Sequence, residues 1–67
     1  MIKALAAEIA ERSWGSPIAV FKNYLGYTWH KVDTEQYRKA LRRKGTELIG
    51  VYSEARADHI AEDLDCA

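Results

Sequence analysis

Cysteine, proline and an excess of either charge are what this chain has least of. Its one cysteine, Cys66, stands next to the last residue, so no internal disulfide can staple the fold, and a reducing, cytoplasmic setting is expected. One proline and four glycines, at positions 15, 26, 45 and 50, leave no room for a phosphate-cradling loop or a low-complexity segment. No apolar run approaches the ~18 residues that span a bilayer, and the first residues lack the order of a signal peptide, so no membrane role is expected. Ten basic and ten acidic residues cancel, which argues against generic nucleic-acid affinity.

Signatures of catalysis are missing too. His30 and His59 are the only histidines, and although His59 and Glu62 lie one helical turn apart, no second such pair exists to complete a zinc site. The residues Ser13, Ser16, Ser53, Thr28, Thr34 and Thr46 fall where strands, caps or turns account for them. A domain this small has little concave surface to exclude water. Neither a catalytic residue, a metal ligand nor a cofactor is expected.

What is present is a strong periodic pattern over 67 residues, enough for one domain spanning 1–67. Ile2, Leu5, Ala6, Ile9 and Ala10 recur at helical spacing and predict a helix over 2–13 that Gly15 stops. Ser16 and Pro17 then carry helix-start chemistry, a hydroxyl acceptor followed by a proline at the first helical position. With Ile18, Phe21, Tyr24 and Leu25 as an apolar stripe, they predict a second helix ended by Gly26.

From Tyr27 the period changes to two. Tyr27, Trp29 and Lys31 share one face and Thr28, His30 and Val32 the other, which predicts a strand over 27–32. By that alternation Trp29 is expected to be buried between sheet and helix, with His30 near the surface. A helix over 34–44 follows. Asp33 is its expected cap, Gln36 completes a capping-box spacing, Val32 and Tyr37 form a hydrophobic staple, and Gly45 closes it after Arg42, Arg43 and Lys44. The segment TELIGVY, 46–52, is apolar on both alternating faces and reads as a strand with a bulge or close neighbour at Gly50. Ser53 is the expected cap of a last helix over 54–64.

These elements predict an α+β domain in the order α-α-β-α-β-α. Its two-stranded sheet is expected to be packed by helices and paired most simply by a parallel crossover, with an antiparallel pair as the alternative. A sheet so small is weak alone, which makes a homodimer a natural expectation.

Charge is distributed unevenly. Arg38, Lys39, Arg42, Arg43 and Lys44 put half of the positive charge into seven positions, while Glu54, Asp58, Glu62, Asp63 and Asp65 put half of the negative charge into the last fourteen. Surfaces of two signs with no reaction centre predict a protein that acts by contact. The expected role is a non-enzymatic binding protein working stoichiometrically on a larger protein, of the kind that bacterial or phage genomes encode as accessory regulators or inhibitors. Its expected partner surface is Arg38, Lys39, Arg42, Arg43 and Lys44 with Lys31. Glu54, Asp58, Glu62 and Asp65 form a second candidate. The alternative is a nucleic-acid module in which the same basic helix binds phosphates while Trp29 stacks on an unpaired base.

Overall fold

Residues 2–67 are described by a computed structural model. They form α1 (Ile2–Ser13), β1 (Ile18–Asn23), β2 (Gly26–Lys31), α2 (Glu35–Arg42), β3 (Glu47–Tyr52) and α3 (Ala57–Cys66). The order is therefore α-β-β-α-β-α around a three-stranded antiparallel sheet, not α-α-β-α-β-α around two strands.

The correction comes from β1, the segment expected to be a second helix. Ile18, Ala19, Val20 and Phe21 are all at 0% exposure. A strand buried on both faces shows a continuous apolar run instead of alternation, and such a run also satisfies a helical stripe. Pro17 serves this strand as its preceding residue, where the missing N–H costs nothing and its carbonyl accepts from the Val32 N–H at 3.0 Å. The turn to β2 has two residues, Tyr24 and Leu25. The Asn23 Oδ1 accepts from the Leu25 N–H at 2.8 Å, and Gly26 takes a φ of 129° that side chains disfavour.

The strand order is β2-β1-β3, with both outer strands antiparallel to β1. β2 and β3, joined through α2, thus run in the same direction but never pair. The expected crossover pair fails because β1 lies between them and takes the inner hydrogen bonds of both. A register shift sets Val20 against Gly50 and Phe21 against Leu48, leaving Ile49 as the extra residue of a bulge. Glycine at position 50 makes room for the Tyr52 ring, since a Cβ would stand 3.0 Å from the Tyr52 hydroxyl and the ring would have to shift to admit it.

One sheet face presents Ile18 and Val20 to Ala6, Ile9 and Ala10 of α1 and to Ile60 and Leu64 of α3. The other presents Ala19 and Phe21 to Ala40 of α2, flanked by Val32 and Tyr37. Buried Ser13 ties the end of α1 to the chain before α3. Its hydroxyl donates to the Ala10 carbonyl at 2.7 Å and accepts from the Ala55 N–H at 3.1 Å, and its carbonyl accepts from the Glu54 N–H at 2.9 Å. These bonds hold Glu54, at φ 51°, outside the last helix. α3 consequently starts at Ala57 after Arg56, not at residue 54 after Ser53. α2 is shifted and shortened similarly. Thr34, not Asp33, is its cap, accepting from the Tyr37 N–H at 3.2 Å while Asp33 adopts a φ of 69°. The helix stops at Arg42, with Arg43 and Lys44 in the turn that Gly45 closes at φ 84°.

Candidate functional site

α2 crosses the second sheet face with Ala40 turned down onto Phe21 and Ala19. Gln36, Lys39, Ala40 and Arg43 follow helical spacing of three and four, so they line one flank of this segment. Opposite them, β2 alternation supplies Thr28 and His30, while Asn23 and Thr46 close the ends. Together they enclose an open groove of about 220 Å³. His30 is half-buried, its ring 5.9 Å from that of Phe21, which in turn lies 6.1 Å from Tyr37. Two cations, an imidazole, two carboxamides and two hydroxyls converge there without any carboxylate, a donor-rich set suited to an anionic group.

The predicted basic residues are divided by the fold. Arg38 donates from Nη1 to the Asp33 carbonyl at 3.1 Å, and Lys39 pairs with Glu35 at 3.8 Å on the surface. Arg42, Arg43 and Lys44 are exposed, and no hydrogen bond or ion pair engages their side chains among the described residues. Lys31 does not join them. In β2 it alternates with Tyr27 and Trp29 toward the α1 and α3 side, opposite Ile18. Trp29 is half-buried on that side, its Nε1 donating to Glu8 Oε2 at 3.0 Å and its ring 5.9 Å from the Arg12 guanidinium. The stacking platform imagined beside the basic helix is therefore turned away from it and already occupied. Trp29 and His30 do lie on opposite faces, though neither is fully buried nor fully exposed.

Of the acidic candidates, Asp58, Glu62 and Asp65 line a second groove with Lys3, Ala57 and Cys66 between α1 and α3. Glu54 stands apart in the preceding turn. At Asp58 desolvation raises the carboxyl, but the Arg56 guanidinium 3.2 Å away and the His59 backbone N–H outweigh it and lower the group below 3.8. Tyr52 shifts in the other sense. Burial, and then the hydrogen bond and charge of Asp63, whose Oδ2 accepts from its hydroxyl at 2.8 Å, push it from 10.0 up to about 12. Among the described residues no three His, Cys, Asp or Glu side chains gather as metal ligands, and no helix is long and apolar enough to cross a membrane.

The two charged surfaces lie on opposite sides of the sheet. α1 and α3 together carry Glu8, Glu11, Asp58, Glu62, Asp63 and Asp65 against Lys3 and Arg12, whereas α2 with its two flanking turns carries Arg38, Lys39, Arg42, Arg43 and Lys44 against Asp33 and Glu35. The groove residues Asn23, Thr28, Gln36 and Thr46 were not singled out from sequence as ligand-facing. The spacing of Gln36 with Lys39 and Arg43 was the available signal, but the opposite wall depended on where β2 lay. Compared with known proteins, the chain matches no family model, no curated protein and no solved structure, so the site is understood from its own geometry.

Proposed function

We propose that this is a small non-enzymatic binding protein that acts in the cytoplasm by stoichiometric contact with a larger protein, as bacterial or phage accessory regulators and inhibitors do, and that the α2 face makes the contact. The supporting observation is the carboxylate-free groove lined by Lys39 and Arg43, with Arg42 and Lys44 unengaged beside it. An acidic side chain of the partner fits such a groove, and arginines there are the residues most able to dominate an interface. The nucleic-acid reading is weakened because Trp29 lies across the sheet from these cations, bonded to Glu8.

The test is an affinity capture from the native host with and without nuclease, using the wild type and a variant with Arg38, Arg42 and Arg43 all changed to Gln. The expected result is a protein partner that survives nuclease and is lost by the variant. The variant should remain folded, at about 0.5 kcal/mol or less for each exposed side chain replaced. Undiminished capture by the folded variant would refute the assignment to this face. Recovery of nucleic acid alone, with a salt dependence that flattens in the variant, would favour the alternative.

A further inference from the structure

A strand at the margin of a sheet leaves alternate N–H and C=O groups unpaired, and proteins blunt such margins with lysine, proline or a covering element. β3 is such a margin. Its sequence, ELIGVY, has Glu47 as its only charge and contains neither lysine nor proline.

Which of its backbone groups face outward follows from the register. The Val32 N–H donates to the Pro17 carbonyl, and Asn23 pairs with Gly26 across the two-residue turn. Odd-numbered residues of β1 therefore bond toward β2, and even-numbered ones toward β3. It follows that Tyr52, Gly50 and Glu47 bond inward, to Ile18, Val20 and Lys22, whereas Val51 and Leu48 stand opposite Ala19 and Phe21 without bonding to them. Leu48 and Val51 thus turn both backbone groups away from the sheet. Residues three apart in a regular strand point opposite ways; the extra residue of the bulge, Ile49, brings these two into phase. Their side chains share a face as well, the one where α2 packs over β2 instead of β3, and they stay 41% and 50% exposed.

We infer that two copies of this chain join through β3, antiparallel about a two-fold axis between Ile49 and Gly50, into a six-stranded sheet. Leu48 of each copy then pairs with Val51 of the other through both backbone groups, and four uncovered apolar side chains close on one another. In this register Glu47 faces Tyr52 of the second copy, whose hydroxyl is bonded to Asp63, and the favourable charge pairing lies just past the strand ends, where Glu54 of one copy comes opposite Gly45 of the other, beside Lys44. The axis is isologous, so the contact closes at two copies. It leaves the lining of the α2 groove free and meets the proposed partner surface only at its margin, at Lys44.

Sedimentation of the full chain, with amide exchange followed residue by residue, tests this. The wild type should be a dimer at tens of micromolar, and exchange at Leu48 and Val51 should slow as concentration rises. Val51→Pro removes an outward N–H while sparing every bond to β1, and Leu48→Lys sets a charge on the margin; both should be monomers with unchanged circular dichroism. Should the proline variant not fold, Leu48→Lys and the exchange rates decide. A wild type that stays monomeric into the millimolar range overturns the inference, as does a dimer that persists in Leu48→Lys with fast exchange at both amides. Protection of those amides only when a foreign protein is added would give the margin to that protein and equally overturn it.

Discussion

On one side of the sheet α1 and α3 together bring Ile9, Ile18, Val20 and Ile60 to 0% exposure; on the other, α2 buries Ala19 and Phe21 but only Ala40 of its own residues, while Leu48 and Val51 stay about half exposed. The difference is one of reach. α2 has eight residues, about 12 Å at 1.5 Å per residue, laid across strands of six residues, about 20 Å at 3.3 Å per residue. A helix shorter than the strands cannot cover a face that two longer helices share on the opposite side. The first side is therefore where stability is concentrated, and the second is where backbone, apolar side chains and cations remain available for contact.

Substitutions that differ only in the side they strike should expose this asymmetry. The largest effect is expected for Ile60→Ala, which empties a fully enclosed position between α3 and the sheet and should cost about 2–5 kcal/mol, whereas Leu48→Ala on the open side should stay within about 0.5 kcal/mol; urea unfolding of both measures the gap. Equal losses would mean that the second face is covered in solution, as the β3 dimer requires, so the pair should be compared below and above the association range.

Ser13→Ala comes next. It leaves the Ala55 N–H without its acceptor at the junction that starts α3, and about 1–3 kcal/mol of destabilisation is expected. The loss should appear first as faster amide exchange in residues 54–58, because those are the groups the hydroxyl and carbonyl of Ser13 hold. A variant with unchanged exchange there would show that the α1–α3 packing alone fixes the helix start.

A smaller effect is expected from pH. The Tyr52 hydroxyl is bonded to Asp63 and held up at about 12 instead of 10.0, so the fold favours its protonated form. Its contribution is complete below pH 10 and is lost as pH rises from 10 toward 12, where the unfolded chain ionises first. Urea midpoints should fall across that window in the wild type by more than in Tyr52→Phe, and identical slopes would remove the coupling. Smallest of all should be His30→Ala, which trims a half-buried ring beside the groove. It is expected to change the melting temperature less than Trp29→Ala, which removes both the bond to Glu8 and the cover of Arg12.

Some of this was legible in residue order because it is written locally. The stripe of Ile2, Leu5, Ala6, Ile9 and Ala10 dictates α1, the alternation from Tyr27 dictates β2, and Gly50 marks the bulge in β3. The cations of the basic helix were also legible as a cluster, since spacing on one helix needs no knowledge of its neighbours. Helix starts were not. Asp33 and Ser53 have cap chemistry, but the caps formed at Thr34 and Arg56 because Asp33 adopts a left-handed turn and Ser13, forty positions before Ser53, claims the N–H groups of Glu54 and Ala55.

By itself, then, the sequence determined an α+β chain with one amphipathic N-terminal helix, a basic central helix and an acidic C-terminal one, since each of these follows from periodicity within a dozen residues. The tertiary structure alone decided that Ile18–Asn23 is the central strand, because a run buried on both faces has no period of its own until its two neighbours are placed. That same placement set Trp29 and Lys31 on the acidic side of the sheet, away from Arg42 and Arg43, and put Leu48 and Val51 on an uncovered margin. Which surfaces are open depends on where three strands lie relative to three helices, and that is a property of packing across the chain.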